Sequence, residues 1–263
     1  MSLPKSVLIA TLLMFAATPC GAQSGGLLER ALKGKARVID LTHKLSAGTP
    51  AYGGERDAFR YEELSQIERD GYASGAFRVP EHFGTHVDAP GHFLRGKDTV
   101  DLIDPKRLIA PAAVIDVRQQ VSRDPDYRLT VADIQKWERG GAIPAGAVVL
   151  LLTGWDLRYG NADTYRNADK NGGLHFPGFS EDSIKYLVTN RSVVALGIDT
   201  LSIDYGASKD FGGHKLSHGA GLYHIENLAN LDKLPARGAV VFTGPLAIEN
   251  GSGSPARVLA LAP

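Results

Sequence analysis

Apolar runs separated by short polar segments divide this chain into many candidate strands and few candidate helices. Residues 148–152 form a continuous apolar run, which is typical of a strand that is buried on both faces. Shorter apolar runs, several of them next to loops rich in glycine and proline, predict further strands. These further candidates are residues 38–41, 77–79, 113–117, 193–198, 240–242 and 258–261.

Three segments predict helices. Residues 27–33 precede Gly34, which would end a short helix. Thr130 is placed to cap a helix over residues 131–139, and Ser180 is placed to cap another helix whose first turn is acidic. Strands that alternate with so few helices predict one α/β domain around a mixed, largely buried sheet.

Residues 1–22 have the pattern of a cleaved secretory signal peptide. Lys5 supplies a positive charge, residues 7–17 form an apolar stretch too short to cross a bilayer, and small residues precede the cleavage position. We therefore expect a mature domain over residues 23–263 that is periplasmic or secreted. A lipid anchor on Cys20 is disfavoured because a proline precedes it.

Composition excludes several classes of protein. Lys plus Arg and Asp plus Glu number 29 each, without a run of like charge, so binding to nucleic acid or to a membrane surface has no electrostatic support. Cys20 is the single cysteine, so the mature chain would lack disulfides, thiol nucleophiles and cysteine-based metal sites. No later segment predicts a membrane span, and no serine-hydrolase elbow or phosphate-binding loop is present.

The strongest chemical signal is the sequence HFGTHVDAPGHF at residues 82–93. It places three of the eight histidines and one carboxylate in the pattern HxxxHxDxxxH. Imidazole nitrogens and carboxylate oxygens are ligands suited to Zn²⁺, Mn²⁺ or a similar ion. The segment therefore predicts a metal site, against the alternative of a histidine-rich surface loop.

The local sequence indicates how this segment folds. Gly84 and the later Ala-Pro-Gly disfavour a regular helix, so a strand end or a tight loop fits better. Such a turn would bring His82, His86 and Asp88 around one ion. His92 would lie just beyond them, as a further ligand or as an acid/base.

A second polar cluster, HKLSHGAGLYHIE, occupies residues 214–226. It contains three histidines and a glutamate, flanked by glycines. Alone, it could be a merely polar loop. Together with the first cluster it indicates a site whose ligands come from distant parts of the chain.

The sequence HFGTHVDAPGHF resembles the signature of the metal-dependent cyclase family, which includes kynurenine formamidases and isatin hydrolases. Similar recurrent segments are IDLTH at 39–43, PAYGG at 50–54, TGW at 153–155 and GIDT at 197–200. The resemblance spans most of the mature chain. It implies the family's swivelling β/β/α fold and a homodimer or larger homo-oligomer.

The resemblance also implies roles for individual residues. It makes His82, His86 and Asp88 primary metal ligands and His92 the catalytic acid/base. In formamidases a later histidine and a glutamate twelve residues on complete a two-metal site, and His214 and Glu226 have that separation.

The isatin-hydrolase branch is similar at residues 217–221 and 230–235, but it carries glutamine at the Glu226 position and binds one Mn²⁺. One or two ions of Mn²⁺ or Zn²⁺ thus remain open. His218 would assist catalysis or orient the substrate.

Other polar and aromatic residues have less specific signals. Candidate substrate contacts are Tyr52, Trp155 and His175. His43 is interpreted as a structural residue or one that supports the ligands, and His224 as a residue that packs or faces solvent. Asp199 and Asp204 fit turns as well as they fit a functional role.

The ligand set predicts hydrolysis of a small-molecule substrate. A divalent ion lowers the pKa of bound water from about 16 towards about 7, so hydroxide can attack an amide or lactam carbonyl. His92 would take a proton from the water and pass it to the leaving nitrogen. We expect an isatin-like lactam as substrate, with an aryl formamide such as N-formylkynurenine as the alternative.

A hypothesis of another class is a periplasmic metal-binding protein without activity. The variant His92→Ala distinguishes the two classes. Turnover would need His92, whereas a pure binder would keep its metal affinity in this variant.

Overall fold

Eight of the strands in the described part of the chain join one mixed sheet. The computed structural model describes residues 24–55 and 58–263, so the predicted signal peptide lies outside the described residues. The strands are β1 (Arg37–Asp40), β2 (Arg60–Ser65), β3 (Ser74–Arg78), β4 (His86–Asp88), β5 (Ile109–Asp116), β6 (Arg128–Leu129), β7 (Val148–Leu152), β8 (Gly178–Phe179), β9 (Ala195–Ile198), β10 (Tyr223–Glu226), β11 (Val240–Pro245) and β12 (Gly253–Ala262).

Helices cover one side of this sheet and connect its strands. The α-helices are α1 (Ser24–Leu32), α2 (Ile67–Asp70), α3 (Arg118–Val121), α4 (Val131–Glu138), α5 (Ala162–Arg166), α6 (Glu181–Asn190) and α7 (Gly212–Gly219). Short 3₁₀ helices occupy Pro90–His92, Val100–Leu102, Pro105–Leu108, Trp155–Arg158 and Leu231–Lys233. No helix among residues 24–55 and 58–263 has both the length and the apolarity needed to span a bilayer.

The large sheet closes on itself. Its strand order is β1-β12-β11-β5-β7-β9-β10-β4, and β12 also pairs with β4, so seven strands form a barrel-like ring. Strands β5, β7, β9 and β10 run parallel, whereas β4, β11 and β12 pair antiparallel with their neighbours. The predicted mixed α/β domain with a buried sheet is confirmed. Its closure was not predicted, because it depends on pairing between residues more than 160 positions apart.

Alternation of side chains divides the apolar residues between two cores. Val148, Leu150 and Leu152 of β7 face an inner core to which all seven strands of the ring contribute. Val149 and Leu151 face an outer core between the parallel strands and helices α4 and α6. The continuous apolar run of β7 follows from this burial on both faces, since each fully buried side chain of this size contributes about 1.5–3 kcal/mol.

Local capping signals predicted two helices correctly. The Thr130 side chain accepts a hydrogen bond from the Asp133 backbone N–H, and the Asp133 carboxylate accepts one from the Thr130 backbone N–H, which forms a capping box at α4. The Ser180 side chain caps α6 through the Ser183 N–H. Helix α1 also forms and is followed by Gly34, whose φ is 65°.

The second histidine cluster is not the polar loop that was one of its two interpretations. It consists of helix α7 followed by strand β10. Gly213 lies inside this helix, where glycine is locally unfavourable. A Cβ there would lie 2.8 Å from an Asp204 carboxylate oxygen and 3.0 Å from Ile184. Tertiary packing against these two residues therefore requires glycine and overrides its low helix propensity.

Candidate metal centre

Strands β4 and β10 carry the same short pattern, a histidine followed two residues later by a carboxylate. They pair antiparallel with His224 opposite Asp88 and Glu226 opposite His86. Val87 and Ile225, between them, face the inner core. Because side chains alternate along a strand, all four polar side chains lie together on the other face of the sheet. Each is at most 4% exposed.

Asp88 lies at the middle of the cluster. Its Oδ1 atom is 2.5 Å from His82 Nδ1 and 3.1 Å from His86 Nε2. Its Oδ2 atom is 3.4 Å from His214 Nε2 and 3.6 Å from His224 Nδ1. Four imidazoles from two separate segments thus surround one carboxylate.

Glu226 is the second carboxylate of the centre. Its Oε1 atom is 3.4 Å from His214 Nε2 and its Oε2 atom is 3.5 Å from His86 Nε2. The Ile203 backbone N–H donates to Oε1 at 2.8 Å, which holds the carboxylate in place. His214 and His86 therefore lie between the two carboxylates.

Helix α7 presents His214 and His218 one turn apart on the same face. The Gly213 N–H donates to Asp204 Oδ1 at 2.9 Å, and His214 Nδ1 is 2.6 Å from Asp204 Oδ2. Asp204 therefore orients the His214 ring so that Nε2 faces the two carboxylates. A carboxylate behind a metal-binding histidine has this orienting effect in many metal sites.

Backbone carbonyls orient two further rings. His86 Nδ1 donates to the Gly84 carbonyl at 2.8 Å, and His218 Nδ1 donates to the Leu222 carbonyl at 3.0 Å. A carbonyl oxygen only accepts hydrogen bonds, so the proton of each pair must lie on Nδ1. The Nε2 atoms of both rings are thereby left to face the centre.

Two buried hydrogen-bond acceptors face each other at the centre, one on His224 and one on Asp88. The Ser217 hydroxyl donates to the Gly213 carbonyl at 2.7 Å and so accepts from His224 Nε2, also at 2.7 Å. His224 Nδ1 then carries a lone pair, 3.6 Å from Asp88 Oδ2. Neither atom has a hydrogen-bond partner within the described residues. Two buried lone pairs in this arrangement are stabilised by a cation between them.

These two unpartnered lone pairs, and the nitrogen and oxygen donor atoms around them, fit a divalent cation. His218 Nε2 is likewise buried without a hydrogen-bond partner in the described part of the chain. Three groups have ligand atoms that lie within 4.8 Å of one another. They are Asp88, His214, His224 and Glu226; His214, His218 and His224; and His82, Asp88 and His92.

The protein by itself balances its buried carboxylates with protons. Burial raises the pKa of Asp88, but the charge of His86 and the adjacent His214 ring outweigh it and hold this pKa well below its ordinary value. Burial and the Asp88 charge raise the pKa of Glu226. Burial lowers the His86 pKa, but Asp88 and Glu226 raise it to about 9. A divalent cation would supply the positive charge that these imidazole protons otherwise provide.

His92 lies at the solvent side of the centre. Its ring stacks on His82 with centroids 3.8 Å apart and meets the edge of Phe93 at 4.7 Å. Burial lowers the pKa of His92 to about 3, so the ring is neutral at physiological pH and can accept a proton. Burial likewise lowers the pKa of His218 to about 4.

A cavity of about 310 Å³ opens directly onto this centre. Three aromatic side chains line it, Tyr52, Phe93 and Phe211, with ring centroids of the last two 5.4 Å apart. Phe211 has φ of 51°, a left-handed conformation that bulky residues rarely adopt. Such strain persists only where the surrounding structure imposes it, and here it places an aromatic ring beside the centre.

The structure brings the predicted ligands together. His82, His86, Asp88, His214 and Glu226 all converge, although they come from segments more than 120 residues apart. His92 and Tyr52 line the cavity over them. His218 lies against His214 and His224, with ring centroids 5.5 Å and 4.0 Å away.

Two predicted substrate contacts lie elsewhere. Trp155 is 1% exposed and belongs to the outer core, where its indole N–H donates to the Tyr165 carbonyl at 2.7 Å. The structure assigns it to the core rather than to the cavity wall. His175 lines a second, surface cavity of about 680 Å³, with Nδ1 2.6 Å from Asp126. Tyr52 borders both cavities.

Sequence reasoning did not assign His224, Phe93 or Phe211 to the site. One interpretation expected His224 to pack inside the protein. It does so, but its neighbours are the candidate metal ligands. The signal that could have identified it is the shared spacing of His86-Val-Asp88 and His224-Ile-Glu226, which is typical of two polar faces on paired strands. Phe211 has no such local signal, because its role depends on tertiary packing.

The fold and the site together define a single-domain α/β protein with a buried histidine–carboxylate centre suited to a divalent metal. The model of the Cyclase family ("Putative cyclase") matches residues 39–205. The chain therefore belongs to the cyclase family, as the motif at residues 82–93 indicated.

Named relatives agree with this assignment. An isatin hydrolase from Roseibium aggregatum is 38% identical over 255 residues, which cover 90% of this chain and 96% of the relative. The crystal structure of an isatin hydrolase bound to the product analogue thioisatinate has a TM-score of 0.83 at 38% identity, covering 91% of this chain and 97% of that chain. A kynurenine formamidase from Bacillus cytotoxicus is 27% identical over 223 residues, covering 84% of this chain and 95% of the relative.

Proposed function

We propose that this chain is a metal-dependent hydrolase of a small amide or cyclic amide, with an isatin-like lactam as the favoured substrate. The observation that carries the proposal is the pairing of β4 with β10, which gathers two carboxylates and three or more imidazoles beneath an aromatic-walled cavity. The similarity to isatin hydrolases over nearly the whole chain supports the choice of substrate.

The metal would be held by side chains on both halves of the centre, with Mn²⁺ and Zn²⁺ as the candidate ions, one or two per chain. These side chains are His82, His86, Asp88, His214, His224 and Glu226. When bound, a divalent ion supplies Lewis acidity, which polarises a carbonyl and makes water more acidic.

His92 would move the proton during hydrolysis. Its ring is neutral at physiological pH and lies on the cavity side of His82. It would accept a proton from the attacking water as the new carbon–oxygen bond forms. It would then donate this proton to the amide nitrogen as the carbon–nitrogen bond breaks, which leaves an amine and a carboxylic acid that loses its own proton to solvent.

The aromatic wall would select and hold the substrate. Tyr52, Phe93 and Phe211 offer ring faces and edges around a cavity large enough for one small bicyclic molecule. A planar aryl lactam would pack against them while its carbonyl faces the centre. The related isatin hydrolase was crystallised with the product analogue thioisatinate, which supports a small aryl substrate.

Hydrolysis of an aryl formamide is a second candidate. Glu226 favours it, because a carboxylate at this position suits the two-metal site that the family resemblance associates with formamidases. The relationship to a kynurenine formamidase supports it as well.

Steady-state hydrolysis of isatin and N-formylkynurenine, followed by ultraviolet absorbance, tests the proposal. The protein is first stripped with a chelator and then reloaded with Mn²⁺ or Zn²⁺. We expect metal-dependent opening of isatin; preference for the formamide would favour the second candidate. Metal binding without turnover of a broad amide panel would contradict both and favour a metal-binding protein.

Residues 1–22 are further proposed to direct export, so that the enzyme acts in a periplasm or outside the cell. The charge pattern of this segment supports the proposal. The family resemblance also supports a homodimer or larger homo-oligomer. Peptide mass mapping of the protein recovered from an exporting host tests the first of these two proposals.

A further inference from the structure

Three hydrogen-bonded side chains lead from the protein surface to the metal centre. Glu81, whose side chain is 37% exposed, lies at the outer end, and His82 lies at the inner end. Ser252 joins them, although it is 170 positions from His82 along the chain. The Ser252 carbonyl accepts from the Ala89 N–H at 2.9 Å, next to the pairing of β4 with β12. Closure of the ring therefore places this serine behind His82.

Glu81 fixes the direction in which the Ser252 hydroxyl donates. The Glu81 Oε2 atom accepts from the Ser252 backbone N–H at 3.1 Å and from the Ser252 hydroxyl as well. A hydroxyl has one proton, so the Ser252 oxygen then offers only lone pairs to a second partner. That partner is His82 Nε2, 2.8 Å away. The proton of this second hydrogen bond must therefore lie on Nε2 of the imidazole.

A neutral His82 ring, the form that binds metal, then has its lone pair on Nδ1. Nδ1 faces Asp88 Oδ1 at 2.5 Å, and ligand atoms of His82, Asp88 and His92 lie within 4.8 Å of one another. In His86 and His218 the other nitrogen faces the centre, because their Nδ1 atoms donate to backbone carbonyls. His82 thus presents a different nitrogen to the centre from these two rings.

Strand β12 leaves the space that this orientation needs. Its first residue, Gly253, lies directly opposite Asp88. A Cβ at Gly253 would lie 2.5 Å from His82 Cε1 and would also clash with the Val87 carbonyl oxygen, so only a residue without a side chain fits beside the ring. The His82 ring in turn stacks on His92, with centroids 3.8 Å apart. A fixed His82 ring therefore also supports the proposed acid/base.

We infer that Ser252, held by Glu81, is a positioning residue that makes Nδ1 the nitrogen that His82 presents to the metal. The inference rests on the proposed metal-dependent function and deepens it, since neither the sequence motifs nor the family resemblance assigned a role to these two residues. A hydrogen-bond partner behind a metal-binding histidine fixes its tautomer and its ring orientation. Loss of such a partner typically lowers metal affinity or activity by about 10–100-fold.

Nuclear magnetic resonance of the protein loaded with cadmium-113 tests the ligating nitrogen directly. An ion on Nδ1 couples through three bonds to the ring proton Hε1 alone, whereas an ion on Nε2 couples in the same way to both Hε1 and Hδ2. We expect the His82 ring, assigned through its connection to the backbone, to show coupling to Hε1 alone. Coupling to both protons would overturn the inference.

Variants of the two positioning residues test their effect on metal binding. Ser252→Ala removes the acceptor of the Nε2 proton but keeps the backbone carbonyl that pairs with Ala89. We expect its Zn²⁺ affinity, measured by competition with a chromophoric chelator, to fall about 10–100-fold. Ser252→Thr keeps a hydroxyl and should restore the affinity. Glu81→Ala frees the serine to donate to Nε2, so a proton on Nδ1 becomes possible and the affinity should fall as well.

The matched control is Ser254→Ala, the same substitution two residues further along the chain. The Ser254 hydroxyl oxygen is fully buried and accepts from the Leu246 N–H at 2.7 Å. This variant therefore measures what the loss of a buried hydroxyl costs the fold. It should lower the temperature of thermal unfolding and leave Zn²⁺ affinity unchanged. Equal loss of affinity in Ser252→Ala and Ser254→Ala would reduce Ser252 to a residue of the fold alone and overturn the inference.

The remaining outcomes separate this inference from the proposed function. Unchanged affinity in Ser252→Ala, or no recovery in Ser252→Thr, would contradict the positioning role. With metal at saturation, Ser252→Ala should lower kcat for the hydrolysed amide and leave KM nearly unchanged, because the aromatic residues of the cavity are not altered. The affinity and resonance measurements need no turnover, so a failed hydrolysis assay would contradict the proposed function alone.

Discussion

The two segments that build the metal centre use the same His-x-acid spacing but differ in burial and in support. On the first segment, His82 is 25% exposed and His92 lines the cavity. On the second segment, His218 and His224 are completely buried. The difference teaches that the first segment presents His82 and His92 towards a substrate, whereas His218 and His224 of the second segment hold the geometry of the centre from behind.

The hydrogen bonds behind each ring agree with this division. On the second segment, Asp204 orients His214, and Ser217 accepts from His224. These partners are buried and belong to the protein, so the rings are already oriented before any ligand binds. On the first segment, His92 contacts mainly other rings, which leaves its nitrogens available to a reacting group.

The largest effect should come from the residue that both halves share. The variant Asp88→Asn removes the carboxylate that four imidazoles approach. Breaking a buried charge pair costs about 3–5 kcal/mol, so metal affinity and activity should fall about 10²–10⁴-fold. Elemental analysis and isatin hydrolysis measure both. The control Asp124→Asn lies outside the centre and should change neither; metal retained in Asp88→Asn would refute the shared role.

A large effect confined to turnover should follow from His92→Ala. Loss of a positioned acid/base typically lowers kcat by about 10²–10⁴-fold. Metal content should stay at the wild-type value, because the proposed metal ligands on both segments are unchanged in this variant. The matched comparison is His82→Ala, for which we expect metal loss together with activity loss. Equal metal loss in both variants would show that His92 is a ligand.

A smaller effect should come from Asp204, the residue that orients His214 on the second segment. Asp204→Asn keeps the size of the side chain but weakens its hold on the His214 ring and on the Gly213 N–H. Loss of such a supporting carboxylate typically lowers metal affinity by about 10–100-fold. Competition with a chromophoric chelator measures the affinity, with Asp210→Asn as an exposed control. Unchanged affinity would mean that the helix alone orients His214.

The smallest effect concerns a residue that supports the first segment and titrates. His43 stacks on Tyr159 at 3.5 Å, and its backbone N–H donates to Thr85 Oγ1. Burial lowers the pKa of His43 from 6.5 to about 4. The unfolded chain therefore binds the proton more readily between these values, and stability falls as the pH drops from about 6.5 to about 4.

The variant His43→Phe should remove this part of the pH dependence. It keeps an aromatic ring against Tyr159 and eliminates the titration. We expect the wild type to lose on the order of 1–2 kcal/mol more than the variant between pH 7 and pH 4.5, after allowance for partial exposure. Urea unfolding of both metal-free proteins at these pH values measures the difference; parallel losses would exclude His43 as a cause.

Local patterns predicted those elements whose signals lie within a few residues. Strand β7 matches its apolar run at residues 148–152, and helices α4 and α6 begin after the capping residues Thr130 and Ser180. Capping and apolar runs act over one or two turns of chain, so a single segment contains the whole cause. Helix α7 and strand β10 escaped prediction because Gly213 and the buried histidines make sense only beside Asp204 and Asp88.

The sequence by itself determined the ligand chemistry, the metal-site motif at residues 82–93 and the family, because these depend on residue types at fixed spacings. Only the tertiary structure decided which residues meet. Closure of the ring by β12, and the register that sets His224 against Asp88, arise from pairing between distant segments. The same long-range packing buried Trp155 in the outer core and turned Phe211 towards the cavity, since burial depends on the whole fold rather than on neighbouring residues.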